Sequence, residues 1–470
     1  MEASRRRTLT LVATILGSGI ALLDGTIVNV ALPTIENDLG GGLAGQQWIV
    51  NAYLLTLGSL ILLGGSLGDV YGERKVFAIG IASFGAASLL CALAPTIEIL
   101  VAARALQGVT AALLTPASLA LLATSFNDER ERGAAIGTWT AWGGIAAVVG
   151  PLVGGWIVDV TTWRWIFGVN VPFVLLTLAL IWLAVEPDEQ RSRDGRRIDV
   201  VGATLAALGL AGPVVALVEQ PARGWLDPVV LGGLAGGAAL LTAFVVWERR
   251  TPDPMLPCGL FARRNFTWAN VETLLVYSGL SSLFFFLTIY LQQVAGYSAL
   301  ESGLVALPVT VLLFALSRRM GNLSARFGPR VFMGVGPIVA GIGVLLLARI
   351  GTDVDYVADL LAPMLLFGVG LALTVAPLTA TVMADAGRGD SGIASGVNNA
   401  IARVAGLLGI AVVGVAVTAR SGAELNVTGF RIGMILTASL IVAGGLAGLA
   451  GIRNPRALAP SQEPLVSSAS

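Results

Sequence analysis

The sequence predicts an all-α polytopic membrane protein with fourteen transmembrane helices, and three observations carry that expectation. Of 470 residues, 55% are hydrophobic and 12% charged, and the mean hydropathy is +0.82, where a soluble domain carries about 25% charge. Apolar runs long enough to cross a bilayer, ~20 residues each, recur along the whole chain. The basic residues alternate between loops: with the N-terminus inside, 22 fall on cytoplasmic segments, five on outer loops and two, Arg104 and Arg403, within the runs. That bias is the positive-inside pattern of an even number of helices with both termini cytoplasmic.

The first run, 8–33, follows Arg5, Arg6 and Arg7. It is longer than a signal-peptide core, offers no small-residue cleavage site and leads straight into another span, so it reads as a retained helix. Runs at 46–68, 76–95, 99–124, 134–158 and 164–185 complete a first set of six. Two more, 198–218 and 228–247, are bracketed by charged or Pro-rich segments at 186–197 and 248–264, which read as cytoplasmic linkers. A last set covers 266–290, 302–317, 331–350, 357–383, 393–417 and 431–452. Trp48, Trp163, Trp165 and Trp225 fall near the outer face and Trp247 near the inner, as interfacial aromatic anchors do. Residues 453–470 read as a short disordered cytoplasmic tail.

An internal echo divides the chain. The stretch Gly65-Ser66-Leu67-Gly68-Asp69-Val70-Tyr71-Gly72-Glu73-Arg74 returns 256 positions later as Gly321-Asn322-Leu323-Ser324-Ala325-Arg326-Phe327-Gly328-Pro329-Arg330, with G-x-L-x-x-x-x-G-x-R shared. Both copies follow the second helix of their set. Parallel repeats of this kind suggest a six-helix bundle at 1–185, two extra helices with their linkers at 186–265, and a second bundle at 266–452.

Several chemistries are excluded. There is no His, and Lys75 is the only lysine, which removes His-based triads, His-Glu-x-x-His zinc sites and the lysine of a P-loop. The strings Gly64-Gly65-Ser66-Leu67-Gly68 and Gly389-Asp390-Ser391-Gly392 imitate serine-hydrolase signatures, but without a histidine they read as helix packing and a polar turn. The two cysteines, Cys91 and Cys258, build neither a disulfide framework nor a metal site. Charge balance, 29 basic against 29 acidic residues, gives no reason to expect nucleic acid. No cofactor is implied.

Five motifs resemble those of the major facilitator superfamily, in particular its fourteen-spanner drug/proton antiporter branch. These are Leu23-Asp24-Gly25-Thr26-Ile27-Val28-Asn29-Val30-Ala31-Leu32-Pro33 in the first helix; Gly65 to Lys75, with Val70 and Glu73 where basic residues are usual; Arg104-Ala105-Leu106-Gln107-Gly108; Gly150-Pro151-Leu152-Val153-Gly154-Gly155, with Ala146 in place of the motif's first Gly; and Trp163 to Phe167 with Asn170-Val171-Pro172. The resemblance implies the major facilitator fold over essentially the whole chain. It also implies that the Gly65, Asp69, Gly72 and Arg74 loop latches the two halves, that Gly150, Pro151, Gly154 and Gly155 mark antiport, and that the first-helix acid and fourth-helix arginine serve proton coupling.

The residues support a reading of their own. Gly65 and Gly72 permit close approach and a tight turn, and Asp69 can accept from Arg74 or from a helix start. Glycines with Pro151 along the fifth helix give a small-residue face and a kink. A charge inside a span costs roughly 2.5–3.5 kcal/mol and marks function by default. Asp24 lies 17 residues past Arg7, about 25 Å up the helix, and Arg104 roughly 9 Å below the outer face, so the two share a depth. Glu272 and Arg403 fall near mid-membrane in the second set. With no His, carboxylates are the available proton carriers, so Asp24 and Glu272 are the expected proton or cation sites, with Arg104 and Arg403 as charge partners. A buried pair that only fixes helix register is the competing reading. Asn29, Gln107, Trp139, Asn398 and Asn399 are cavity candidates, each equally able to bond neighbouring helices.

The expected function is secondary transport by alternating access, exporting a hydrophobic or amphipathic drug, dye or antibiotic against inward protons, with the proton gradient as energy source. Export of an endogenous metabolite or lipid would use the same residues; a membrane-embedded enzyme or a channel fits less well. Arg outnumbers Lys 28 to one, and with high Ala and Gly this suggests a GC-rich bacterial genome, hence a multi-pass protein of the bacterial plasma membrane. It is expected to work as a monomer.

Overall fold

The computed structural model describes residues 3–126, 128–186, 198–386, 391–422 and 425–454. The tail from 455 and the linker at 187–197 lie outside them. Fourteen helices in the described residues are long and apolar enough to cross a membrane, and no strand occurs among them.

The elements are α1 (Ala3–Leu39), α2 (Gly42–Tyr71), α3 (Glu73–Ala92), α4 (Ile97–Ser125), α5 (Glu129–Val160), α6 (Trp165–Gly168), α7 (Asn170–Ala184), α8 (Val200–Arg223), α9 (Pro228–Glu248), α10 (Arg264–Gln293), α11 (Ala299–Leu304), α12 (Leu307–Phe327), α13 (Pro329–Leu347), α14 (Ala362–Ala386), α15 (Ser391–Ser421) and α16 (Val427–Gly451). Two spans are broken: α6 with α7, and α11 with α12. The spans outrun the apolar runs because polar caps extend them. Asp128 Oδ1 accepts from the amides of Arg130 (3.0 Å) and Glu131 (2.9 Å) at the start of α5. Asp227 Oδ1 accepts from the Val229 amide (2.8 Å), with Pro228 in the first turn of α9.

The echoed glycines do the same job twice. Gly72 ends α2 and precedes α3 at φ +96°, and Gly328 stands between α12 and α13 at φ +88°, a backbone region that side chains rarely adopt. Gly65 differs: a Cβ there would meet Pro116 at an ordinary 3.6 Å. The close approach falls one residue earlier, where a Cβ on Gly64 would run into the Ala112 carbonyl.

An even number of spans puts both chain ends on one side, here the terminal face; the other is the far face. Helices α1 to α7 pack among themselves, as do α10 to α16. Between these groups, α2 and α15 touch over most of their length: Gln47 Nε2 donates to the Ile410 carbonyl (3.3 Å) toward the far face, and a Cβ on Gly396 would lie 3.4 Å from Leu62 toward the terminal face. Helix α8 lies over this seam, with Val214 and Val218 against Leu407 and Ala411 and Glu219 accepting from Trp48 Nε1 (3.3 Å). Opposite the seam, α5 meets α11 only toward the far face. Toward the terminal face Trp142 is 51% and Phe314 50% exposed.

Candidate functional site

Asp24 stands at the centre of α1 with no exposed surface. Arg104 on α4 is 1% exposed, and its NH1 donates to Asp24 Oδ2 at 2.5 Å. The carboxylate's other oxygen accepts from Gln107 Nε2 (2.8 Å) and Asn170 Nδ2 (2.9 Å). Arg104 NH1 also reaches Gln107 Oε1 (2.6 Å), and its Nε donates to the Ile49 carbonyl (3.3 Å). Ser88 Oγ accepts from both Gln107 (2.9 Å) and Asn170 (3.3 Å). The guanidinium lies 4.2 Å over the Tyr53 ring, whose hydroxyl donates to the Ala21 carbonyl (3.0 Å). Helices α1, α2, α3, α4 and α7 thus each place one or more polar groups around a single ion pair.

The sequence pattern reaches Asp24, Arg104 and Gln107 but not Ser88, Tyr53 or Asn170 as members of this site. Asn170 carried a signal, a polar residue two positions before Pro172 in an apolar span. Ser88 and Tyr53 carried none, since a hydroxyl is unremarkable in a membrane helix.

Three glycines of α5 hold that helix close. A Cβ on Gly150 would meet Thr26 and, at 3.1 Å, the Leu23 carbonyl; one on Gly154 would meet Ile27, with its carbonyl at 3.1 Å. These contacts fix α1 on both sides of Asp24. Gly155 faces away, where a Cβ would lie 2.5 Å from Leu300 Cα and 2.7 Å from the Ala299 carbonyl, and a Cβ on Gly303 would lie 2.6 Å from the Pro151 carbonyl. Close beside them, Asp159 accepts from the Ala299 (3.1 Å) and Leu300 (3.0 Å) amides at the start of α11. Gln292 Nε2 donates to the Val30 carbonyl (2.9 Å). The far face is therefore closed by backbone contact between α5 and α11.

The second acid and arginine do not pair. Glu272 on α10 is fully buried and neither oxygen has a hydrogen-bond partner among the described residues; it points to Gly448 of α16, where a Cβ would lie 2.8 Å from Oε2. Arg403 instead turns toward α2: a Cβ on Gly58 would lie 3.1 Å from Arg403 Cβ, and its buried Nε has no partner among the described residues. The helix rotation explains this correction, because α15 presents Arg403 to the seam and α10 presents Glu272 to α13 and α16. Asn398 joins α15 to α10, donating to Thr273 Oγ1 (2.7 Å) and Asn270 Oδ1 (3.0 Å). Trp139 packs beside Leu122, Phe126 and Leu11, away from Asp24. Asn29 and Asn399 are half-buried. In the loop after α2, Glu73 is 8% exposed and lies against Gly68, and Asp69 and Arg74 both have partners.

The family model described as Major Facilitator Superfamily matches residues 14–410. The chain is 38% identical over 423 residues to the puromycin resistance protein pur8 of Streptomyces alboniger, covering 89% of this chain and 84% of the relative. It is 36% identical over 429 residues to the multidrug resistance protein Stp of Mycobacterium tuberculosis, covering 90% and 78%. Among solved structures, a peptide transporter POT in complex with sulfate superposes with TM-score 0.69 at 14% identity over 96% of this chain and 98% of that one, a likeness of fold.

Proposed function

Because the chain belongs to the Major Facilitator Superfamily, we propose that it exports amphipathic drugs or antibiotics in exchange for protons by alternating access. The relatives named for puromycin and multidrug resistance support the substrate class. The observation that carries the mechanism is the ion pair of Asp24 with Arg104, at 2.5 Å and with both side chains at most 1% exposed. A buried carboxylate with one cationic partner and two amide donors has two stable arrangements: charged and paired, or protonated with the arginine released to Gln107. Substrate that favours one arrangement and proton that makes the other are coupled through a single free energy.

The terminal face is then cytoplasmic and the far face external, in a bacterial plasma membrane. The state described here, closed between α5 and α11, faces inward. The loop from Gly65 to Arg74 closes the cytoplasmic side in the opposite state. Glu272, buried without a partner among the described residues, is a second proton carrier, and Arg403 at the seam senses the movement of the halves.

The test is dye efflux from proteoliposomes under an imposed pH gradient, with wild type, Asp24→Asn and Glu272→Gln at matched density. Asp24→Asn is expected to lose gradient-driven efflux by at least roughly tenfold, about 1.4 kcal/mol of coupling. Efflux by Asp24→Asn at the wild-type rate and with the same gradient dependence makes the pair a structural one.

A further inference from the structure

On the far face, above the contact of α5 with α11, lies a cavity of about 540 Å³ whose polar lining includes Glu36, Gln46, Asp159, Gln292, Gln293 and Tyr297. Among the described residues, Glu36 and Asp159 are its only charged lining residues, and no Lys or Arg lines it. Asp159 is engaged by the two amides at the start of α11. Among the described residues the Glu36 carboxylate has a single long bond, Oε2 accepting from Gln293 Nε2 at 3.3 Å. Gln46 supplies the independent sign of a ligand: it is 1% exposed, lines the cavity, and its Oε1 accepts no hydrogen bond from the described residues. A buried amide oxygen is ordinarily satisfied, and Gln46 stands in the wall of the cavity.

We propose that this cavity is a second ligand site, separate from the Asp24 network, that takes a protonated amphipathic amine. The ammonium stands against Glu36 and donates an N–H to Gln46 Oε1, while Pro33, Leu43 and Leu425 receive the apolar body. An anion finds no cationic partner among the described lining residues. A metal ion lacks ligands, since the described residues contain no group of three or more His, Cys, Asp or Glu able to hold one. Glu36 lies 12 residues beyond Asp24 on α1, about 18 Å along the helix, so the cavity is an exit station for amines. That role rests on the export reading, whereas occupancy of the cavity does not.

The experiment uses the full-length chain purified in a non-ionic detergent and dansylcadaverine, a fluorescent primary amine, with its N-acetyl derivative as the uncharged counterpart. Binding is read by anisotropy for wild type, Glu36→Gln, Gln46→Leu and Asp24→Asn, and folding by thermal midpoint. Glu36→Gln is expected to weaken amine binding on the order of tenfold, the scale of a charge-assisted hydrogen bond. Gln46→Leu weakens it several-fold, Asp24→Asn keeps the Glu36-dependent binding, and the acetylated probe is indifferent to Glu36. Equal amine affinity in wild type, Glu36→Gln and Gln46→Leu overturns the proposal. So does an acetylated probe that responds to Glu36→Gln as the amine does, because the effect is then structural. Export in proteoliposomes separates the two readings: Glu36-dependent amine binding without export overturns the transport function and supports the cavity, and export with amine binding indifferent to Glu36 overturns the cavity alone.

Discussion

Arg104 holds its site through three kinds of contact at once: the ion pair to Asp24, the hydrogen bonds to Gln107 and the Ile49 carbonyl, and the Tyr53 ring. Removing one partner of a buried pair leaves an uncompensated charge, which typically costs 3–5 kcal/mol. Arg104→Ala is therefore expected to lower thermal stability by about that much, read as a clear drop in melting midpoint in detergent. The double variant Arg104→Ala with Asp24→Ala should recover part of the loss, because no charge then remains unpaired. A double variant no more stable than the single one refutes the pair's dominance. Asp24 and Arg104 were legible in the sequence because a charge in an apolar run stands out, and counting helical rise from each end put them at one depth. Their partners were not, since Ser88 and Tyr53 differ little from the hydroxyls that bond to preceding carbonyls throughout these helices, as Ser18 does to Thr14 (2.7 Å). The pairing of Glu272 with Arg403 failed for a related reason: depth follows from residue count, but the direction a side chain faces depends on helix rotation, which tertiary packing sets.

Among the helices, α5 carries the most specific geometry. Its glycines serve two neighbours, with Gly150 and Gly154 on α1 and Gly155 on α11. Gly155→Val puts a side chain within 2.5–2.7 Å of the α11 backbone, which cannot move aside as a flexible side chain would. The variant should hold the far face open. A cysteine at Gln292, in a Cys258→Ser background, is expected to react several-fold faster with an impermeant maleimide when Gly155 is Val. Gly144→Ala is the control, because a Cβ there lies 3.5 Å from Phe314, an ordinary contact. Unchanged labelling means that α5 and α11 close by some other contact. The spans themselves were legible from apolar runs and alternating charge. Their ends were not, because capping such as that by Asp128 extends a helix into polar sequence. The breaks between α6 and α7 and between α11 and α12 also left no hydropathy signal, being departures of one and two residues within apolar runs.

For the molecule as a whole, α2 and α15 stay in contact along the seam while α5 and α11 meet only toward the far face. In the alternating access proposed above, movement between the two states amounts to rotation about the seam, with Val214 and Val218 of α8 packed over it. A disulfide between Asp159→Cys and Ala299→Cys, residues joined by a 3.1 Å hydrogen bond, should stop export under oxidation and restore it on reduction. Export that continues with the bridge formed shows that the far face need not open there. The network around Asp24 also has an electrical consequence. Paired, Asp24 and Arg104 carry no net charge; protonated, the site keeps the +1 of Arg104 within the membrane. A charge crossing the full field is worth about 2.3 kcal/mol per 100 mV. Under the proposed antiport, exchange of one proton for an uncharged drug therefore generates current, and exchange of one proton for a singly charged amine generates none. A potassium diffusion potential should accelerate the first and leave the second unchanged.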